Sequence, residues 1–203
     1  MARVQAGDLD QRIQVLELQK EQATYSWREV GSVWAKGELD TRSNLFSSIG
    51  IGARGATFTV RSNRRLTLAN AFLWRKQHCF ITAILPLADA PGYDQVKAAL
   101  VDPVTCVATW TPRDAKDSLN RPVEGEPESV TFPGILIEKY RGNGLEDVYR
   151  TLTQQRVLVT PKAIKLQAGA VVQIEAGAAY TVRSVMDLDE WKNEYEIEHQ
   201  EDV

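Results

Sequence analysis

The sequence predicts a mainly β protein, built as two similar small antiparallel β-barrel or sandwich domains in tandem over residues 1–101 and 102–203. Two observations carry that expectation. The first is an internal repeat. Trp34-Ala-Lys-Gly-Glu-Leu39 set over Phe132-Pro-Gly-Ile-Leu-Ile137 gives an offset of 98 positions, and at that offset Leu66 meets Ile164 and Leu68 meets Leu166. Past the next hairpin the offset becomes 101, and Cys79-Phe-Ile-Thr-Ala-Ile84 reads against Tyr180-Thr-Val-Arg-Ser-Val185. The second observation is the rhythm of the chain. Short apolar-alternating runs, about six in each half, are separated by turn residues roughly every eight to twelve positions, the pattern of a small barrel or sandwich.

The elements follow in order. Residues 1–11 read as an N-terminal arm. Residues 12–19 (Arg-Ile-Gln-Val-Leu-Glu-Leu-Gln) form a first strand with Ile13 and Val15 inward. The polar stretch 20–26 turns, and 27–39 returns as a strand with an irregularity at Gly31. Residues 41–56 are a long loop with room for a short helix over 44–49, stopped by Gly50, Gly52 and Gly55. Long loops inside small domains are usually functional. Strands are then expected at 57–61, 66–68, 71–74, 79–85 and 93–101, and Asp102-Pro103 makes the joint. The second half restarts with 104–110. A Pro-rich loop occupies 113–128, with a hairpin tip near Ser118–Pro122, and a strand fills 130–140. Residues 141–155 hold the same relative place as the first long loop. The remaining strands are 156–159, 164–166, 171–174, 179–185 and 194–199, with a turn at Glu175-Ala-Gly177.

Composition narrows the function classes. A 43% apolar and 25% charged chain is ordinary for a globular protein, and each half is long enough to bury a core. No apolar run approaches the roughly eighteen residues of a membrane helix, and the first fifteen or so residues are too polar for a secretory signal. The net charge of −3 argues against a protein that grips nucleic acid by its phosphates. It is compatible with a wall past which a duplex slides. Cys79 and Cys106 have no metal spacing and read as buried cytosolic thiols.

Catalytic arrangements are thin. His78 and Cys79 are sequence neighbours on one strand, so their side chains leave on opposite faces and cannot pair as base and nucleophile. Glu194, Glu196 and Glu198 alternate with Tyr195 and Ile197 and share one strand face. A solvated face is the plain reading. The other readings are an acidic surface toward a partner or channel, or a small hydrolase using these carboxylates. Gly50–Gly55 lacks the Gly-Lys-Ser/Thr order of a phosphate loop. Arg61, Arg64 and Arg65 form the one basic cluster of note, either a solvated turn or a contact to DNA or an acidic partner. Trp74, beside Arg75-Lys76, is the tryptophan singled out for a subunit interface, where aromatics and arginines are enriched. No metal or cofactor is expected.

Several motifs together resemble the head–tail joining (head closure, stopper or adaptor) proteins of tailed bacteriophages. They are Gly7-Asp-Leu-Asp-Gln-Arg-Ile13, Trp27-Arg-Glu-Val30 followed by Val33-Trp-Ala35, Phe58-Thr-Val-Arg61, and Cys79-Phe-Ile-Thr-Ala-Ile84 where the family usually has Tyr-x-Ile-x-x-Ile. Tyr180-Thr-Val-Arg-Ser-Val185 fits that last pattern better. Cys79 departs from the family Tyr, the second half lacks the Leu-Asp-x-Arg-Ile start, and the chain is about twice the family's length. The resemblance implies a virion structural protein of the neck, assembled in the host cytoplasm. It would form a homo-oligomeric ring between portal or adaptor protein and tail proteins, and carry double-stranded DNA without sequence readout. It implies no enzyme activity and no membrane. The family's channel loop would correspond here to Leu45, Phe46, Ile49 and Arg54, and in the second half to Arg141, Tyr149 and Arg150. Six fused copies would present twelve barrels, reconciling a twelvefold portal with a sixfold tail. A tail-terminator or tail-completion ring is the alternative.

Overall fold

The computed structural model describes residues 6–40, 54–112, 115–116, 122–123, 125–139 and 155–199. The chain is mainly β. Apart from one 3-10 turn at Ala6–Asp8, the regular structure of the described residues is all strand. It divides into two compact units, one of residues 1–19 and 26–103, the other of residues 20–25 and 104–203. The helix considered for 44–49 lies outside the described residues.

The first unit contains β1 (Gln11–Glu21) and β2 (Thr24–Leu39), apart from their joined tip at residues 20–25, with β3 (Gly55–Arg61), β4 (Asn70–Trp74), β5 (Gln77–Pro86) and β6 (Tyr93–Val101). Their hydrogen-bonded order is β1-β4-β5-β6-β3-β2, and a β1–β2 pairing joins the ends of that order into a closed ring. Alternation sets the core. β3 buries Ala56, Phe58 and Val60 and turns Thr57 and Thr59 outward, while β1 sends Ile13 and Val15 inward. Phe58 meets Phe72 edge-on at 5.3 Å and Trp74 edge-on at 5.2 Å. This geometry sets the positive ring edge against the negative face, for about 0.5–1.5 kcal/mol beyond simple burial.

The second unit contains β7 (Val104–Trp110), a small hairpin of β8 (Ala115–Lys116) with β9 (Pro122–Val123), β10 (Glu128–Lys139), β11 (Gln155–Pro161), β12 (Val171–Ile174), β13 (Ala179–Met186) and β14 (Lys192–His199). The order of its main strands is β10-β11-β14-β13-β12-β7, closed by β10–β7. Rewritten from β7, it follows the same plan as the first unit: first strand, fourth, fifth, sixth, third, second. Cys106, Ala108, Phe132, Leu158, Val172, Val182, Tyr195 and Ile197 fill its core.

The agreement extends to irregular details. The β5–β6 register shifts between Ile81 and Ala83, and the β13–β14 register shifts between Val182 and Ser184. Each unit therefore carries a register shift of the β-bulge kind at the same point of its fifth strand. Leu66 N–H donates to Asn63 O and Ile164 N–H to Pro161 O, both at 3.0 Å. Asn70 N–H donates to Thr67 O at 3.1 Å and Ala170 N–H to Gln167 O at 3.2 Å. The following hairpins turn through Arg75 and Lys76 (φ 51° and 66°) in one unit and Glu175 and Ala176 (φ 48° and 55°) in the other.

Two expectations are corrected. Residues 66–68 and 164–166 are not strands but irregular chain between hydrogen-bonded turns. Leu66, Ile164 and Leu166 are buried, so their spacing reports burial without a ladder. The setting of Trp34 over Phe132 is one residue out of step. Trp34 is 59% exposed and Phe132 is 1% exposed, whereas Ala35 and Gly134 both point inward. A slip of one residue exchanges the two faces of a strand.

Candidate functional site

The segment from β2 to β3 leaves and returns through a tight neck. Asp40 N–H donates to Gly55 O at 2.9 Å, and Thr57 Oγ1 donates to the Asp40 carboxylate at 3.0 Å. A Cβ on Gly55 would stand 2.4 Å from Asp40 Oδ2, so glycine is what lets that carboxylate close the neck. Arg54 is exposed, and its carbonyl accepts from Leu100 N–H at 3.0 Å. The segment from β10 to β11 holds the same place in its own unit, with Lys139 paired to Gln155 at its base. Leu45, Phe46, Ile49, Arg141, Tyr149 and Arg150 lie outside the described residues.

Arg61, Arg64 and Arg65 are exposed. Arg61 ends β3 and, with Ser62, Asn63, Leu9, Val33 and Trp34, lines an open groove of about 680 Å³. Ser62 Oγ donates to Asp94 at 2.8 Å, and Asn63 Oδ1 accepts from Arg65 N–H at 3.0 Å, which fixes the path of this turn. Trp34 faces out because Ala35, its neighbour, must face in.

Trp74 is not a surface residue. It is 4% exposed, its indole N–H donates to Gln11 Oε1 at 2.7 Å, and the Arg75 guanidinium covers its ring at 4.6 Å. The exposed tryptophan of this unit that can meet a partner is Trp34. The sequence held a signal for it, since alternation outward from an inward Ala35 places Trp34 in solvent.

The residues weighed for chemistry are occupied otherwise. The His78 ring lies 5.1 Å from Trp27, and its buried Nε2 has no hydrogen-bond partner. Burial lowers its pKa to about 4, so it is neutral at neutral pH. Burial pushes Cys79 up to about 11 and Cys106 up to about 12, so both thiols stay protonated. Glu196 accepts from Ser184 Oγ at 2.8 Å, Glu198 pairs with Arg183, and Glu194 pairs with Lys192. Tyr195 and Ile197 between them are core residues. Lys192, unremarked in the sequence, is almost fully buried between Glu194, Asp189 at 3.4 Å and the Trp191 ring at 4.7 Å. Among the described residues no group of three or more His, Cys, Asp or Glu side chains is placed to hold a metal ion.

Three further exposed apolar residues stand together in sequence on the second unit. Val185 and Met186 end β13, and Leu188, 97% exposed, follows in the turn between Asp187 and Asp189.

The motif residues have structural work in the first unit. Leu9 and Ile13 are buried, and Gln11 accepts from Trp74 while its amide donates to Gly37 O at 3.4 Å. Trp27 packs edge-on against Phe80 at 6.3 Å.

The chain matches no known family model, no curated protein and no solved structure.

Proposed function

We propose that this chain is a structural protein of a tailed-phage neck, a ring component between portal and tail that extends the DNA channel and offers the tail a docking surface. The observation that carries the reading is the repeated plan. Two units with one strand order, one bulge position and one turn pattern suit a subunit that presents two like bodies to a symmetric assembly. The motif residues support the same reading, because Leu9, Gln11, Ile13 and Trp27 act together in building one unit. The segments between second and third strands, pinned at Asp40 and Gly55 in the first unit, are the channel loops in this proposal. The mildly acidic balance suits passage of a duplex without capture.

Cryo-electron microscopy of intact particles tests the proposal. The expected result is density for this chain at the neck, with six copies in a ring. Its absence from the particle, or a position away from the head–tail junction, would overturn it. Deletion of residues 43–52, which keeps Arg54 and the Asp40–Gly55 neck, is expected to leave folded protein but halt particle completion, and normal infectivity would remove the loop from the account.

A further inference from the structure

The first unit has an open groove whose lining combines apolar Leu9, Val33 and Trp34 with polar Ser62 and Asn63 and basic Arg61. The turn beyond it adds Arg64 and Arg65, both exposed. The second unit has a fully solvated apolar residue, Leu188, preceded in the chain by Val185 and Met186 and flanked in sequence by Asp187, Asp189 and Glu190, all exposed. The groove is apolar with a basic rim. The Leu188 turn is apolar with acidic flanks. We infer that the Leu188 turn of one copy inserts into the Trp34 groove of a second copy, with Asp187, Asp189 and Glu190 meeting Arg61, Arg64 and Arg65.

The physical argument has three parts. A leucine left almost wholly in water is an unfavourable surface feature that burial against Val33 and Trp34 corrects. Trp and Arg are the side chains that most often anchor interfaces, and here they share one groove. Opposite charges around the contact choose the orientation and disfavour groove-to-groove pairing, which would set arginines against arginines. Because the two surfaces differ, the contact is heterologous. Each copy uses its groove once and its Leu188 turn once, so copies propagate head to tail and close into a ring when the rotation allows. The inference deepens the neck-ring reading and rests on it for taking the occupant to be a second copy.

Mixed-chain cross-linking tests it. One preparation carries Ser62→Cys in the groove lining, the other Glu190→Cys in the Leu188 turn, and the two are mixed under mild oxidation. The native thiols are buried and protonated, so they contribute little background. The expected product is a mixed disulfide dimer that exceeds either self-linked species. A chain carrying both cysteines should give a ladder of linked multimers. Trp34→Ala in the first chain or Leu188→Ser in the second should lower mixed linkage roughly tenfold, the loss of one anchoring side chain. Arg61→Glu should lower it, and Asp187→Arg in the other chain should restore part of the loss. Dominant self-linkage of the Ser62→Cys chain, no mixed product at any concentration, or linkage indifferent to Trp34→Ala and Leu188→Ser would overturn the inference. Both substituted residues are exposed, and circular dichroism confirms folding of each variant. The ring reading fails separately, by the chain's position in the particle, so the two outcomes remain distinguishable.

Discussion

The Tyr195 hydroxyl donates to the Ile164 carbonyl at 2.9 Å and accepts from Leu166 N–H at 3.1 Å. One buried side chain on β14 thus satisfies both polar groups of the turn that precedes β12. Asn193, two residues earlier on the same inward face, adds Nδ2 to Ile164 O at 2.7 Å and to Lys162 O at 3.1 Å. In the first unit the corresponding turn is held by a different device. Asn70 Oδ1 accepts from Thr67 N–H at 2.8 Å, and its Nδ2 donates to Leu16 O at 3.3 Å. Two unrelated side-chain solutions serve one backbone shape.

Tyr195→Phe should destabilise the second unit by about 1–3 kcal/mol, because it leaves the buried Leu166 N–H without the hydroxyl that accepts from it. Urea unfolding followed by tryptophan fluorescence reads the change. Burial also holds the Tyr195 pKa above its ordinary value. Its contribution is therefore complete below the unfolded pKa and is lost as pH rises beyond it, so alkaline unfolding should shift upward in the Phe variant relative to its own neutral stability.

His78 gives the acid side. Its folded pKa of about 4 lies below the ordinary 6.5. The native state then binds fewer protons than the unfolded chain between those values. Stability is full above about pH 6.5 and falls as pH drops toward 4, by on the order of 3 kcal/mol if the site stays closed. His78→Gln should remove that slope, measured as the difference between the two proteins' urea midpoints from pH 7 to pH 4. An identical slope in both would contradict the assignment.

Cys79 and Cys106 should be inert to a thiol-specific disulfide reagent at pH 8 in native protein and react fully in denaturant. The two thiolates are suppressed by burial and their sulfurs are covered. Fast labelling of either in the native protein would mean that its unit opens readily.

Ala176→Gly should raise stability by about 0.5–1 kcal/mol. Ala176 holds φ 55° in a two-residue hairpin turn, a conformation that costs an L-residue energy and a glycine little. Lys76→Gly, at φ 66° in the other unit, should act in the same direction. Thermal midpoints of the two single variants decide this, and a fall in both would show that the turns store no strain.

Much of the architecture was legible because chain breakers frame it. β6, β7 and β12 begin and end where the sequence places them, since Gly92, Asp102-Pro103 and Gly169 fence those runs. The stretches at 66–68 and 164–166 were misread because two apolar residues spaced by two look alike whether they pair in a ladder or plug a core. Register was harder. The repeat between β2 and β10 is offset by 99, pairing Ala35 with Gly134, and a small residue beside a large one left nothing in the sequence to fix parity. Gly134 itself is demanded by packing, since a Cβ there would come within 2.8 Å of Cys106 Sγ and 2.7 Å of Leu158 Cδ1. For the site, the sequence marks Arg61, Arg64 and Arg65 as a basic group but singles out Trp74, which is buried, and passes over Trp34, which is exposed. Trp74 stands beside cations in sequence, yet whether an aromatic covers a core or meets solvent is set by strand parity. Leu188 carried its own signal, a lone apolar residue between two aspartates, which only its exposure makes meaningful.

In each unit every ring strand has a hydrogen-bonded neighbour on both sides, because β1–β2 and β10–β7 complete the circuit. The pairing is staggered, since β10 meets β7 over Glu128–Gly134 and β11 over Ile135–Lys139, and β5 meets β4 only over Gln77–Phe80. None of these twelve strands is a plain edge along its whole length, so a partner gains little by extending the sheet. Side chains and connecting segments are left as the main means of recognition.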